Sequence, residues 1–399
     1  MALNILTAVI RKKLESLKDD KRTTNLTDLI AQCDEDLDFL RNTTLDIAIT
    51  GVSGAGKSSL VNALRGMADD EEGSAKVGDT ETTTERKGYP HPTFPKVTVW
   101  DLPGIGTPRF NAKKYLKKVA FKQYDFFIIV ASNRFTENDR DLANEIRKMK
   151  KKFFYVRSKI DQSINAGRRK ADFNEEGCLE RIRKHCCDNL TKAGESNPKV
   201  FLISSWDLSM YDFPLLEETL ENDLDDLKRD ALILAMPAFS KEVLERKKAA
   251  MECYIQVAAL VSCGAGAVPV PGLSLACDIS ILIGAMTYFY DVFGLDEGSL
   301  HRLANRVGKP AVVLLSAVKK SPTAHDITFQ LVADLLSKAA LQQELMLIKP
   351  TLKFVPVLGS LVGGALSYAT TFYILKNFLD DVVEDAENVR AKAMESHPE

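Results

Sequence analysis

The stretch DIAITGVSGAGKSSL, residues 46 to 60, places three glycines, a lysine and adjacent serines directly after an apolar run. Gly51, Gly56, Lys57 and Ser58 fit the pattern G-x-x-x-x-G-K-[ST], with a strand-like run before it and a helix-like run after it. Glycines allow backbone N–H groups to turn inward around phosphate oxygens, and a helix start adds the positive end of its dipole. We therefore predict a nucleotide phosphate site, in which Lys57 reaches the β- and γ-phosphates and the Ser58 hydroxyl ligates Mg²⁺. The residues assigned to this loop are Gly51, Ser53, Gly54, Ala55, Gly56, Lys57, Ser58 and Ser59.

A second motif, Asp101-Leu-Pro-Gly104, follows the apolar run VTVW. A carboxylate at the end of a strand is well placed to act on Mg²⁺, and the backbone N–H of Gly104 can contact a γ-phosphate. Asp before Pro-Gly is by itself common turn chemistry, but its position downstream of a phosphate loop favours the nucleotide interpretation. We therefore assign Asp101 to the metal and Gly104 to the catalytic site.

The third motif is SKID, residues 158 to 161, and it indicates which base is bound. The Asp161 carboxylate can accept two hydrogen bonds from the ring N–H and the exocyclic amine of guanine, a pattern that adenine cannot donate. The stem of Lys159 can cover the purine face. Such motifs usually begin with Asn or Thr, so Ser158 is a departure that leaves the role intact. The residues expected at the other face of the base end the run KVFLISS and are Ser204 and Ser205.

A polar loop, residues 71 to 94, separates the first two motifs and is rich in turn-forming residues. Such a loop can act as a switch that closes when the γ-phosphate and Mg²⁺ attract a threonine hydroxyl. Thr82, Thr83 and Thr84 are the candidates, and composition rates them equally. We choose Thr83 as the metal ligand and catalytic residue.

The elements that would position these motifs alternate between short apolar runs and helix-like segments over residues 44–225. Apolar runs with little polar alternation, each followed by a helix, are typical of a parallel sheet covered on both faces. We therefore predict an α/β domain there. Residues 226–399 lack strand-like runs and predict a helical domain. The two helices expected in residues 1–43 have no core of their own, so we expect them to pack with this C-terminal domain.

Charge and cysteine content limit the classes of function. Lys and Arg number 53 against 55 Asp and Glu, so the chain has no net positive field for nucleic acid, and we expect no nucleic-acid partner. Seven cysteines occur without a metal-ligand spacing, which favours a reducing, cytoplasmic location. The first 20 residues resemble an amphipathic helix rather than a signal peptide, and Ala2 excludes the Met-Gly start of myristoylation.

Two apolar segments of the helical region, residues 253–277 and 354–375, carry no acidic or basic side chain. Each is long enough to span a bilayer. Three interpretations stay open: buried core helices, a hairpin that inserts into a membrane or lies on it when GTP rearranges the domain, and a permanent span. Flanking sequences of the stop-transfer type are lacking, which disfavours the last of these.

The three motifs in this order, together with the runs WDLPGIGT, YDFFIIVAS, RFTENDRDLA and YPHP, resemble the immunity-related GTPases, also called interferon-inducible GTPases. The resemblance continues through YDFPLLEETL and VFGLDEGSL, so it spans most of the chain. It implies a Ras-like α/β domain with a predominantly parallel sheet, and an all-α domain built from both termini.

The resemblance also implies an activity. Lys57 matches the lysine-bearing subclass, whose members bind GTP, GDP and Mg²⁺ and oligomerise, also with related GTPases, on membranes around intracellular pathogens. It implies a cytoplasmic protein that associates peripherally with intracellular membranes. In the run ETTTER, Thr83 matches the switch threonine, and Glu81 matches an acid implicated in catalysis across a dimer.

The residue after the Asp101 motif departs from the pattern of small GTPases. A glutamine commonly stands there and orients the attacking water, but this chain has Ile105. We therefore expect slow turnover by a single molecule and faster turnover when a second molecule completes the site. Arg109 or Arg134 could act on the second molecule, although a solvated surface role is the commoner one for arginine.

Two rival functions stay open at this point. The first is a GTP-gated scaffold or regulator with negligible turnover, in which Ile105 marks the loss of hydrolysis. The second is an RNA-associated or ribosome-associated GTPase, which the balanced charge and the acidic C-terminal sequence do not favour.

Overall fold

The computed structural model describes residues 43–78, 83–105, 111–170, 172–238, 240–266, 273–341 and 362–395. The described residues fall into two compact units, which divide between Ser240 and Lys241. The helices predicted for residues 1–43 lie outside the described residues, which begin at Thr43. That part of the domain prediction stays a prediction.

The first unit is built on a mostly parallel sheet. In chain order its strands are β1 (Leu45–Gly51), β2 (Lys87–Pro90), β3 (Val97–Asp101), β4 (Phe126–Ala131), β5 (Phe153–Arg157) and β6 (Val200–Leu202). Their order across the sheet is β2-β3-β1-β4-β5-β6, and β2 pairs antiparallel with β3 while the other neighbours are parallel. Every residue of β4 is buried, which explains why its sequence does not alternate. A mostly parallel sheet together with a helical region confirms the predicted fold class.

Helices follow the strands of this unit. They are α1 (Lys57–Leu64), α2 (Ala112–Lys118), α3 (Glu137–Lys148), α4 (Ile160–Gly167), α5 (Glu175–Lys192), α6 (Phe213–Asp223) and α7 (Asp226–Ala235). Side chains fix several of the helix starts. Thr136 and Asp139 form a reciprocal capping box at α3, and Asn174 accepts a hydrogen bond from Gly177 N at α5.

The boundary between the units lies further along the chain than the sequence indicated. The sequence assigned residues from 226 onward to the helical domain, but α7 belongs to the unit of the sheet. Helix α7 packs against β1 and β3, with Leu232 and Leu234 buried, and Lys228 forms an ion pair with Asp125 at the start of β4. Periodicity alone could not show which core this amphipathic helix covers.

The second unit is helical. Its described helices are α8 (Lys241–Gly266), α9 (Leu273–Phe293), α10 (Glu297–Val307), α11 (Ala311–Leu315), α12 (Phe329–Leu341) and α13 (Val362–Met394). Helix α8 packs along α13, and α9 packs against both. Apolar side chains such as Ile255, Leu282, Phe289 and Leu375 are buried in this unit.

A buried network of hydroxyl groups and one carboxylate joins the three long helices. Ser262 Oγ on α8 donates to Asp278 Oδ1 on α9 at 2.6 Å, and Ser367 Oγ on α13 donates to Asp278 Oδ2 at 3.0 Å. Ser262 also shares a hydrogen bond of 2.8 Å with Thr371 on α13. Because a buried carboxylate is costly unless it is hydrogen-bonded, these contacts stabilise one specific packing of the helices.

The described parts of the two uncharged segments lie in these helices. Residues 253–266 end α8, 273–277 begin α9 and 362–375 begin α13, whereas 267–272 and 354–361 fall outside the described residues. The run Leu275–Val307, which covers α9 and α10, is long and apolar enough to cross a membrane by length and composition alone. Within its most apolar window, 44% of the residues are buried inside the protein. A core helix passes the same test, so the three interpretations stay open.

A second buried carboxylate, Asp385 on α13, closes the loop after α11. It accepts hydrogen bonds from the backbone N–H groups of Lys319, Lys320 and Ser321 and from the Ser321 hydroxyl, at 2.7 to 3.1 Å. The neighbouring Glu384 forms an ion pair with the Lys320 side chain, and both of these side chains are about half exposed.

Replacing Asp385 by alanine should lower the free energy of unfolding of the helical unit by about 2–3 kcal/mol, because several backbone donors lose their acceptor. The matched control is Glu384→Gln, which removes an exposed ion pair and should cost no more than about 1 kcal/mol. Urea unfolding of both variants measures the difference. Equal losses would contradict the structural role of Asp385.

Candidate nucleotide-binding site

The loop between β1 and α1 needs glycine at two places. At Gly51, an added Cβ would lie 2.0 Å from the carbonyl oxygen of Val130, because β4 approaches the backbone there. Gly56 precedes α1 with φ 86° and ψ 28°, a left-handed conformation that side chains disfavour. The chain can therefore leave β1 and enter α1 in this way only with these residues.

Lys57 is the first residue of α1 and folds back over the loop. Its side chain is buried, and Nζ donates to the carbonyl oxygen of Val52 at 3.2 Å. The first turn of α1 contains no acidic residue, so no side chain of that turn neutralises the positive end of the helix dipole. The cation and the helix start thus lie at the same loop, as the sequence predicted for a phosphate site.

Asp101 lies at the end of β3, and hydroxyl groups from two other segments meet its carboxylate. Ser58 Oγ donates to Asp101 Oδ2 at 2.6 Å, and Thr83 Oγ1 donates to the same oxygen at 2.9 Å. The other oxygen, Oδ1, is buried and has no hydrogen-bond partner among the described residues. The structure therefore brings together the three residues that the sequence assigned to the metal.

The electrostatics of this carboxylate favour a cation. Burial raises the pKa of Asp101, and the hydrogen bonds from Ser58 and Thr83 and the charge of Lys57 lower it by less. Carboxylate and hydroxyl oxygens are the ligands that Mg²⁺ prefers. A buried, unpartnered carboxylate oxygen beside two hydroxyl groups fits a divalent cation held against a phosphate.

The segment after Asp101 packs directly onto the phosphate loop. An added Cβ at Gly104 would lie 3.0 Å from Ser53 Cα, so the two turns are in close contact. Ile105 N donates to Gly51 O at 3.0 Å, Ser53 N donates to Ile105 O at 3.1 Å, and Ile105 forms a parallel bridge with Val52. The Ile105 side chain is 1% exposed and belongs to the core of the unit. The side chain at this position is therefore directed into the core, where it cannot orient a water.

Two of the loop residues have backbone N–H groups engaged within the protein. Ser53 N bonds to Ile105, and Ala55 N donates to Val52 O at 3.2 Å. A phosphate would have to share or displace these hydrogen bonds. Ser53 and Gly54 are exposed, whereas Ser59 is half-buried on α1.

The remaining switch candidates are placed differently from Thr83. Thr84 is exposed, and Thr82 and Glu81 lie outside the described residues. Arg109 also lies outside them, and Arg134 is exposed at the surface. The assignment of Glu81 to catalysis therefore stays a prediction.

The base motif is tied to the phosphate loop through Ser158. Its buried hydroxyl donates to the carbonyl oxygen of Ala55 at 2.6 Å. Lys159 adopts a left-handed conformation, φ 55° and ψ 36°, and its Cε lies 3.7 Å from the position of a Cβ at Gly56. Asp161 is half-buried in the first turn of α4. Serine thus supplies the link between base motif and phosphate loop, despite its departure from the usual Asn or Thr.

The serines after β6 lie beside this motif, since Ile160 N donates to Ile203 O at 3.2 Å. The Ser204 side chain is buried, and its Oγ accepts hydrogen bonds from Trp206 N at 3.2 Å and Asp207 N at 3.5 Å. In this structure the hydroxyl therefore shapes a turn. Ser205 is half-buried at the same strand end.

Comparison with known proteins decides the family. The family model described as interferon-inducible GTPase (IIGP) matches residues 10–393. Interferon-inducible GTPase 5 of Rattus norvegicus is 40% identical over 387 residues, which cover 96% of this chain and 83% of the relative. Interferon-gamma-inducible GTPase 10 of Mus musculus is 35% identical over 380 residues, covering 95% and 88%.

The chain belongs to the interferon-inducible GTPase family. This confirms the family inferred from the sequence and the class of enzyme, a GTP hydrolase. Among solved structures, Toc33 from Arabidopsis thaliana in complex with Mg²⁺ and GMPPNP aligns at 14% identity over 44% of this chain and 77% of that chain, with a TM-score of 0.32.

Sequence reasoning missed one residue of this interferon-inducible GTPase that supports the site. The Tyr115 hydroxyl on α2 donates to the carbonyl oxygen of Pro103 at 2.9 Å and shares a hydrogen bond of 2.8 Å with Thr50 Oγ1 on β1. It therefore fixes the turn after Asp101 to the strand that leads into the phosphate loop. The sequence did contain a pattern that could have identified Tyr115. Ala112, Tyr115 and Leu116 recur at helical spacing within a lysine-rich run, and this spacing indicates a helix face directed toward the core.

The Asp101→Asn variant of this interferon-inducible GTPase should distinguish the effect of the carboxylate on stability from its effect on metal binding. A raised pKa means that the wild-type carboxyl contributes most to stability below its ordinary value of 3.8, and that this contribution declines as pH rises through the folded-state pKa. Without nucleotide and metal, the unfolding temperature of the asparagine variant should therefore increase relative to that of the wild type as the pH rises above 3.8.

The same variant should lose metal dependence. The Mg²⁺ concentration that gives half of the maximal increase in GDP affinity should rise by about 10- to 100-fold, as for other changes at metal-holding groups. Isothermal titration of GDP at several Mg²⁺ concentrations measures it. An Mg²⁺ dependence identical to wild type would contradict the assignment of Asp101.

Proposed function

We propose that this protein is a Mg²⁺-dependent GTPase that hydrolyses GTP to GDP and phosphate, assembles with GTP and acts at intracellular membranes in interferon-linked, cell-autonomous defence. The observation that carries the nucleotide chemistry is the meeting of Ser58, Thr83 and Asp101 beside Lys57 at the phosphate loop. The similarity to proteins named interferon-inducible supports the defence setting.

Each residue of the phosphate site has a distinct task in this proposal. Lys57 neutralises charge on the β- and γ-phosphates, while the start of α1 directs N–H groups and a positive dipole at the same oxygens. Ser58, Thr83 and Asp101 hold Mg²⁺, which when bound neutralises negative charge on the phosphates. Because Thr83 belongs to the polar loop before β2, release of the γ-phosphate would free that loop.

Base selection falls to the motif at the end of β5. The Asp161 carboxylate accepts the hydrogen bonds of guanine, and Lys159 covers one purine face. Selection through hydrogen bonds of this kind discriminates strongly, because a base without the donors leaves a carboxylate unpaired. The bond from Ser158 to Ala55 keeps base and phosphate subsites in register.

Water activation is the step for which a single molecule is poorly equipped. Ile105 is buried, and the described residues at the phosphate site offer no glutamine in its place. We propose that a second molecule completes the site, with Glu81 as the residue that the family resemblance implicates. Turnover then depends on the concentration of the protein.

Measuring phosphate release per molecule against protein concentration tests this assembly model. The rate per molecule should rise at least several-fold over about a hundredfold range of concentration, since a bimolecular complex forms over such a range. Lys57→Ala should abolish phosphate release at every protein concentration. Arg134→Ala replaces an exposed, solvated side chain and should leave the dependence on concentration unchanged.

A rate that is measurable but independent of concentration contradicts assembly-dependent hydrolysis. Release at the background level of the Lys57→Ala variant, with intact GTP binding, instead favours the second candidate, a GTP-gated scaffold with negligible turnover. The burial of Ile105 is the observation that keeps this second candidate in view.

The proposed membrane action concerns the helical unit. Leu275 and Leu366, in the two uncharged segments, are 54% and 52% exposed, which offers apolar surface to lipid. Asp278 lies within the run long enough to cross a bilayer, and a carboxylate at bilayer depth is costly. Both features support peripheral or hairpin association rather than a permanent span.

Flotation with liposomes tests membrane action. Protein with a non-hydrolysable GTP analogue should float with the vesicles to at least about twice the extent of protein with GDP, because insertion or docking follows GTP-driven rearrangement. Leu275→Ser with Leu366→Ser should reduce flotation without changing GTP binding. Equal flotation in both nucleotide states would contradict the GTP-dependent part of the proposal.

A further inference from the structure

The loop between β6 and α6, residues 203–212, begins against the base motif. Ile203 N donates to Arg157 O at 2.9 Å, and Ile203 O accepts from Ile160 N at 3.2 Å. Ile203 is therefore hydrogen-bonded to the residues that flank Ser158 and Lys159. The next residues of the loop leave the sheet at the edge where Asp161 is expected to read the base.

The same loop is anchored at its far end. Asp212 N donates to Leu202 O at 2.9 Å, and Leu202 N donates to Asp212 Oδ2 at 2.7 Å. Arg183 on α5 forms an ion pair of 2.7 Å with Asp212. Because both ends are hydrogen-bonded to β6 or its extension, the residues between them form a closed loop with a restricted position.

Within the loop, a tight turn presents a tryptophan to solvent. The buried Ser204 hydroxyl accepts from Trp206 N and Asp207 N, and Asp207 Oδ1 accepts from Ser209 N at 3.1 Å and Ser209 Oγ at 2.7 Å. These bonds define the turn, yet the Trp206 side chain is 79% exposed. An indole in this position adds almost nothing to the core, so its surface is available to a ligand or a partner.

The returning arm of the loop also lies near the base motif. Tyr211 has φ 56°, a left-handed conformation that is uncommon for a bulky residue. Burial raises the pKa of its hydroxyl, and the negative charges of Glu175 and Asp161 raise it further, so this ring shares its surroundings with Asp161. Strain of this kind is concentrated at binding and catalytic sites.

We propose that the Trp206 indole forms a wall of the guanine pocket, stacking on the purine across from the stem of Lys159. The inference rests on the proposed binding of guanine nucleotides. Lys159 lies close to Gly56 of the phosphate loop, whereas Trp206 extends from the neighbouring strand end, so the base would enter between them. Stacking on an aromatic ring is tolerant of base identity, so Trp206 adds affinity while Asp161 provides the selection for guanine.

The competing use of this side chain is a protein contact. Met210 and Leu215 are also exposed, so another chain could cover the three side chains together. The base is favoured because the Ser204 turn and the Ile203 hydrogen bonds fix the backbone that carries Trp206 beside the base motif.

The test compares Trp206→Ala, Trp206→Phe and Met210→Ala with wild type by direct titration of GDP and GTP in Mg²⁺ at low protein concentration. Trp206→Ala should weaken binding of both nucleotides by about tenfold, Trp206→Phe by less than about threefold, and Met210→Ala should not change it. Unfolding temperatures without nucleotide should be equal for all four proteins, since the indole is exposed.

A fluorescent analogue of GDP provides a second readout. When a methylanthraniloyl-labelled GDP binds, the tryptophan emission of the wild type should be quenched more than that of Trp206→Phe. The chain has two tryptophans, Trp100 and Trp206, so the difference between the two proteins reports on Trp206. Unchanged affinity in Trp206→Ala overturns the inference. If that variant instead loses only the concentration dependence of GTP hydrolysis, the side chain is a protein contact. Failure of wild type to bind either nucleotide overturns the proposed function itself.

Discussion

Burial of the Asp101 carboxylate joins three segments that are distant in the sequence: the start of α1, the polar loop before β2 and the end of β3. Ser58 and Thr83 reach the same oxygen, and the other oxygen is left without a partner among the described residues. A buried carboxylate is unfavourable when its charge is uncompensated, which is the physical reason that this site suits the proposed cation. Residues of the phosphate loop, the polar loop and the end of β3 therefore form one hydrogen-bonded arrangement rather than three separate motifs.

The helical unit uses the same physical device for a different purpose. Asp278 and Asp385 are buried carboxylates whose hydrogen bonds come from hydroxyl and backbone donors on other helices and loops. Such groups favour one specific packing, because any rearrangement must find new partners for them. For Asp278, which directly follows the uncharged segment 253–277, this requirement opposes transfer of the side chain into lipid.

The parts of the site that are local in sequence were predictable, because each motif specifies its own turn. The loop with Lys57 and the choice of Thr83 depended only on residue type, spacing and resemblance. What depended on tertiary pairing was not predictable. The burial of Ile105 follows from its bridge to Val52, and the use of the Ser204 hydroxyl in a turn follows from the path of the loop that presents Trp206. The packing of α7 against the sheet likewise needs the core to be known, since amphipathicity does not name the partner.

Metal rescue of Ser58→Cys tests most directly whether these oxygens hold the cation with the nucleotide. A thiolate is a poor ligand for Mg²⁺ and a good one for softer cations. The account predicts that this variant binds GTP at least about tenfold more weakly than wild type in Mg²⁺ and regains most of the difference in Mn²⁺ or Cd²⁺, while wild type shows no such preference. Wild-type affinity of Ser58→Cys in Mg²⁺, or a loss that softer cations do not repair, would contradict it.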